Sequence, residues 1–279
     1  NAGAKLADAA RNGEPGAMEA LAIERENLLA IVERRAESRP ADSVEALLCV
    51  EPLLAVRGPF DLWVGQATQA YSLSQSLSVS VRVRAARSLC DALVARGRPG
   101  DALDVANATL KLIAVDSRDD NSAPLRVCLA NIHHALGDMN QANQHAMAAL
   151  ELAKDSPFAG WAQAALGRAR FSMGDFSGAR KHLDMAADRL TRPRGRALVL
   201  AQLGDVERAV GEVALAGQHY DAALKIFSSL EDLPGGATLL SKLGSLNLDL
   251  GRQKKALDFF ERARRAFSKV GDRHQVAIC

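Results

Sequence analysis

Aromatic side chains are scarce in this sequence, 4% of 279 residues, and no apolar run reaches the roughly 18 residues that a bilayer span needs. The second absence argues against a membrane helix. The first, with Ala and Leu filling apolar positions where Val, Ile, Tyr and Phe would mark strands, points to helix throughout. Charge of one sign is lacking as well: 35 basic and 33 acidic residues leave +2, which gives no general attraction to nucleic acid or to anionic membrane. Four cysteines, Cys49, Cys90, Cys128 and Cys279, stand far apart without a CxxC pair or metal-ligand spacing, and no basic-then-apolar leader opens the chain. Reduced thiols in a cytoplasmic protein are the expectation.

Patterns that carry catalysis are missing too. A nucleophile with its base, a paired carboxylate, a metal cluster or a phosphate loop would be needed. His133 and His134 are adjacent and point about 100° apart on a helix, so they do not chelate one ion together. His145, His182, His219 and His274 are dispersed. GRPGD at 97–101 and LPGGA at 233–237 lack the Lys and Ser/Thr of a phosphate loop and read as helix connections. Arg189, Arg192, Arg194 and Arg196 bracket Pro193 and Gly195. With no aromatics there to stack bases, they read as a solvated turn. No cofactor and no metal are expected, and the chain reads as a binding protein, not an enzyme.

What is present is a repeat. Gly58, Gly97, Gly137, Gly174, Gly211 and Gly251 lie 39, 40, 37, 37 and 40 residues apart, each between two segments of helical apolar periodicity. Eight residues before each glycine stands Val50, Leu89, Leu129, Leu166, Leu203 or Leu243, followed by Gly in the last three units. Small residues recur after the glycine, Ala102, Ala142, Ala179, Ala216 and Ala256 at five, and Ala70, Thr109, Ala149, Ala186, Ala223 and Ala263 at twelve. At nine, the later units carry Leu183, Tyr220 and Phe260 where the earlier ones carry Ala67, Ala106 and Ala146. Each glycine would support the tight turn of an antiparallel helical hairpin. A hairpin cannot bury its apolar face alone, so successive hairpins stack.

The sets Leu203-Gly204, Gly211, Ala216, Tyr220, Ala223 and Leu243-Gly244, Gly251, Ala256, Phe260, Ala263 resemble the tetratricopeptide repeat. That resemblance covers 41–271 and implies an all-α, right-handed superhelical solenoid of six antiparallel hairpins. Two features depart from the pattern. The spacing exceeds the usual 34 residues, and the first unit has Trp63 in place of Ala and Pro52 inside its first helix, which costs about 3 kcal/mol unless the helix kinks or ends there.

Residues 17–37 read as an amphipathic helix ending before Pro40, so 1–40 is expected to form an N-terminal capping or linker helix. Glu24-Arg25-Glu26-Asn27-Leu28 is similar to the junction that precedes the repeats in bacterial signal-transduction ATPases with numerous domains (STAND). It implies an upstream ATPase domain and a sensor role in a signalling or transcription regulator. Residues 272–279 look like the opening of a further or capping helix. A bare apolar face at that end would favour self-association.

In the tetratricopeptide fold the first helix of each hairpin lines the concave surface, so the resemblance makes that groove the site for a protein or peptide ligand. The matching positions are Arg84, Arg87, Asp91, Asn131, His134, Trp161, Arg168, Phe171, Gln202, Asp205, Arg208, Lys242 and Ser245. Trp161 and Phe171 flank Arg168 and are either an apolar anchor beside a cation or packing between units. The Lys-plus-Asn pattern that clamps a C-terminal carboxylate in some family members is absent, since Val127 precedes Asn131 and Ala164 precedes Arg168. Three functions remain open: the regulator's sensor, a free-standing scaffold or assembly adaptor, and a peptide-pheromone receptor.

Overall fold

A computed structural model describes residues 2–114, 122–153, 156 and 158–270. Its elements are α1 (Ala2–Arg11), α2 (Ala17–Arg35), α3 (Pro40–Arg57), α4 (Phe60–Leu73), α5 (Val79–Ala95), α6 (Pro99–Ala114), α7 (Ser122–Ala135), α8 (Met139–Leu152), α9 (Ala159–Ser172), α10 (Phe176–Arg189), α11 (Pro193–Ala209), α12 (Val213–Ser229), α13 (Leu233–Asp249) and α14 (Gln253–Val270). A short 3-10 turn, Ser74–Ser76, follows α4. The described residues contain no strand.

Consecutive helices pair into hairpins, and each hairpin packs on the next, which gives the expected superhelical stack. The six repeat glycines are the turns of hairpins α3/α4 to α13/α14, and all have φ between 66 and 88°. Only glycine adopts that region without strain. After two of them an aspartate caps the second helix, Asp138 accepting from the Gln141 N–H and Asp175 from the Gly178 N–H.

The packing explains the alternation of small and large residues. A Cβ on Gly204 would stand 2.4 Å from the Tyr220 ring, one on Gly244 2.8 Å from Phe260, and one on Gly167 2.7 Å from Leu183. Each bulky side chain of the second helix fills the hollow of a glycine on the first. The earlier units carry Ala67, Ala106 and Ala146 there, with Glu51, Cys90 and Ala130 at the position of the glycine.

One feature differs from the sequence reading, and one departure noted there is accounted for. Ahead of residue 41 lie two helices instead of one, since α1 forms a hairpin with α2 around Gly13 and packs on α3. The turn signal NGEPG at 12–16 marks this corner, and Ala7 and Ala10 are its small buried face. Pro52 lies inside α3 without ending it. Proline cannot donate to the carbonyl four residues back, and the Arg11 guanidinium of α1 donates to that Leu48 carbonyl at 3.2 Å instead. The unforeseen helix therefore satisfies the acceptor that Pro52 orphans.

The superhelix also closes on itself. Gly13 packs against Leu230 and Pro193. Arg57 bridges Glu19, at 2.6 Å, to Glu231, and Arg192 lies 3.7 Å from Asp8. The turns inside the first two hairpins thus meet the connections between the last three. At the far end α14 turns a charged face outward, including Lys254, Lys255, Arg262 and Arg265, with Leu257 the large apolar exception. The expected helix at 272–279 lies outside the described residues.

Candidate functional site

The first helices α3, α5, α7, α9, α11 and α13 stand side by side, and their side chains pair across neighbours. Arg84 on α5 makes a bidentate bridge to Glu45 on α3 at 2.5 and 3.0 Å. Asn131 on α7 accepts from Arg168 on α9, and His134 Nε2 lies 3.0 Å from the Ser172 hydroxyl. Lys242 on α13 holds both oxygens of Asp205 on α11 at 2.6 Å, and the Tyr220 hydroxyl donates to the same carboxylate at 2.7 Å. Arg208 on α11 grips Asp249 on α13 at 2.5 and 3.2 Å. Asp205, Arg208, Ala209 and Asp249 line a depression open to solvent.

Arg87 lies with its guanidinium carbon 5.3 Å over the Phe158 ring centroid, a cation–π contact. Burial pushes the Asp91 carboxyl up to about 6, opposed by Arg87 and reinforced by Glu51. Burial, then the charge of Arg168, pulls His134 down to about 4, so this imidazole is neutral at pH 7. The Gln202 side-chain oxygen is buried without a partner. Ser245 lies on α13, half-buried.

Trp161 and Phe171 take part in packing between hairpins. Phe171 stacks obliquely on Phe176, centroids 5.7 Å apart, beside the cluster of Leu183, Leu203 and Val206. A Cβ on Gly195 would stand 3.1 Å from the Trp161 ring. Arg168 reaches the other way, toward α7. The three are not one anchor in this arrangement.

Glu45, Ser172 and Asp249 belong to the same surface and escape the sequence reading. Their signal is opposite or complementary polarity one repeat away, 39 residues for Glu45 and Arg84, 41 for Arg208 and Asp249. Arg192 and Arg194 in the basic turn are engaged by acids, Asp8 and the buried Asp232. Cys49, Cys90 and Cys128 are buried and unpaired as disulfides. The Cys90 thiol beside it, then burial, push the Cys128 thiol well up, which disfavours the reactive thiolate. Among the described residues no three His, Cys, Asp or Glu side chains could hold a metal ion, and no helix is long and apolar enough to cross a membrane.

A stack of glycine-turned hairpins with a polar inner face defines a repeat scaffold built to present a concave surface. A family profile described as tetratricopeptide repeat matches residues 121–192 and 195–269, just over half of the chain. The protein belongs to the tetratricopeptide repeat family. A search of curated proteins finds no match. Among solved structures, a Rap protein complexed with Competence and Sporulation Factor aligns with a TM-score of 0.72 at 12% identity, over 99% of this chain and 78% of the other. The apo form of RapI gives 0.68 at 13%, over 91% and 93%. A tetratricopeptide repeat protein from Parabacteroides merdae gives 0.59 at 15%, over 99% and 98%. At these identities the likeness is one of fold.

Proposed function

We propose that this chain is a ligand-sensing interaction module whose concave groove takes an extended peptide or protein segment, and that it serves as the sensor portion of a bacterial multidomain regulator. The observation that carries the groove is the polar ladder on six adjacent first helices, which holds amide, imidazole and charged groups in fixed positions facing one surface. The similarity in fold to a Rap protein complexed with Competence and Sporulation Factor supports the receptor version of the same reading. The junction-like segment 24–28, whose Leu28 is buried on α2, supports the regulator context.

Fluorescence anisotropy against binders selected from an octapeptide array tests the groove. Ser245→Arg, which puts bulk on the inner surface of α13, is expected to weaken binding about tenfold, a loss of about 1.4 kcal/mol. Lys225→Glu, on the exposed face of α12, is expected to leave it unchanged. Equal sensitivity of the two would overturn the groove. The regulator context is tested by the coding sequence upstream: an ATPase domain in the same frame is expected, and a reading frame opening at Asn1 would remove that context while leaving the groove.

A further inference from the structure

Two large apolar side chains are more exposed than any other among the described residues, Ile23 at 76% and Leu257 at 61%. They lie on α2 and α14, toward opposite ends of the stack. A lone exposed isoleucine or leucine is ordinary on a protein surface. The surroundings of these two are not, because the charge beside each has one prevailing sign. On α2 the exposed row that holds Ile23 carries Glu19, Glu26 and Glu33, and Glu37 continues it beyond the helix, with Arg34 the one base among them. Glu19 is bridged to Arg57 and Glu26 to Arg25, whereas Glu33 and Glu37 have no ion pair among the described residues.

The other end is the reverse. Residues 252–269 hold seven basic and two acidic side chains, net +5, against +2 for the entire chain. Both acids are taken one turn along α14, Asp258 by Arg262 at 3.4 Å and Glu261 by Arg265 at 3.3 Å. Arg252, Lys254, Lys255, Arg264 and Lys269 are exposed and have no carboxylate among the described residues. Lys254 stands one turn before Leu257 and Arg264 two turns after it, on the same side of the helix. Capping a solenoid needs only a polar outer face, and unpaired charge of one sign repels itself. The interleaved acids oppose a phosphate backbone, and one leucine is too little to hold a helix in a bilayer. An acidic helix with an apolar side chain among its charges matches this face, and α2 is such a helix.

We propose that copies of this chain associate head to tail, the α2 face of one on the α14 face of the next, with Ile23 against Leu257 and the glutamates of α2 facing Lys254 and Arg264. The two faces differ, so the contact is heterologous. A pair of copies leaves one α2 and one α14 uncovered, and assembly therefore continues past two. The inner groove takes no part, and the proposal stands or falls apart from the groove reading.

Sedimentation velocity of the 279-residue chain over a concentration series tests it. At low salt the average mass is expected to climb past that of two copies. In about 1 M salt, where screening acts beyond about 3 Å, it should fall back to one. Ile23→Lys and Leu257→Glu each spoil one face and should weaken association at least about tenfold. Mixed in equal amounts, the two variants should form a species of two copies and nothing larger, since the first keeps its α14 face and the second its α2 face. Circular dichroism identifies a variant that fails to fold, and Glu26→Lys or Lys254→Glu then takes its place. A wild type that stays monomeric, or that stops at two copies, overturns the proposal. Assembly that survives both single substitutions overturns it as well, and so does a mixture that yields no two-copy species.

Discussion

In hairpins α9/α10, α11/α12 and α13/α14 a large side chain of the second helix drops into the hollow of a glycine on the first, as Tyr220 does at Gly204. In hairpins α5/α6 and α7/α8 the same two positions hold small residues that share a buried cluster, Cys90 with Ala106 and Ala130 with Ala146. The cores differ accordingly. Helices α1 to α7 share one continuous apolar cluster built on Leu, Val, Phe60 and Trp63, whereas the C-terminal hairpins are divided among smaller clusters. One backbone arrangement thus accommodates two packing codes, a glycine under a large side chain or two small residues facing one another.

The comparison can be broken most forcefully at Gly204. Gly204→Ala forces the buried Tyr220 ring to move and is expected to cost about 2–3 kcal/mol, and Tyr220→Ala about 3–5 kcal/mol through its cavity. The double variant recreates the Ala130/Ala146 pairing and should be more stable than the sum predicts by over about 1 kcal/mol. Urea unfolding measures all three, and strict additivity would show that the two codes are not interchangeable.

The next effect is electrostatic and belongs to the N-terminal half. Asp91 takes up a proton near pH 6 in the folded protein but only near 3.9 when unfolded, so the folded state binds more protons in that window and stability falls as pH rises through it. Asp91→Asn is therefore expected to stabilise the protein by roughly 2 kcal/mol at pH 7 and to have little effect below pH 4. A thermal melt series across this range checks the sign.

Arg11→Ala leaves the Leu48 carbonyl without its donor and should cost about 1–2 kcal/mol. Adding Pro52→Ala restores a backbone donor to α3, and with it most of the loss. If chemical denaturation shows the same deficit in the double variant, Arg11 acts through its ion pairs with Asp8 and Glu51 and not through the carbonyl. The smallest energy lies at the closing seam, where Arg57→Ala removes exposed bridges to Glu19 and Glu231 worth under about 1 kcal/mol. Its readout is shape: small-angle scattering should show a larger radius of gyration at low salt, and an unchanged radius would mean that the apolar contact of Gly13 with Leu230 and Pro193 holds the seam alone.

How much of this was legible follows from the same contrast. The turn glycines announce themselves because a positive φ tolerates little else, so hairpins α3/α4 to α13/α14 and their inner faces stand out at a fixed period. The inner-face residues named from that period do pair across adjacent helices at Arg84, Asn131, His134, Arg168, Asp205, Arg208 and Lys242. Helix α1 lacks the adjacent Leu-Gly pair of the repeat and buries only the small residues Gly3, Ala7 and Ala10, which leaves little periodic signal. That Arg208 meets a carboxylate while Arg168 meets an amide depends on which residue stands one repeat away, and the closing seam depends on the pitch of the whole superhelix. Neither is a local property of sequence.

The seam changes how the molecule should come apart. In an open array the first hairpin has a single neighbour and frays first. Here α1 and α2 border both hairpin α3/α4 and the corners at Pro193 and Leu230, so the chain of interfaces has become a loop. Amide exchange in α1 and α2 should then slow or quicken with events some 200 residues away, and whatever a ligand does to the spacing of the late hairpins is communicated to the amino-terminal end, where the junction with any preceding domain would lie.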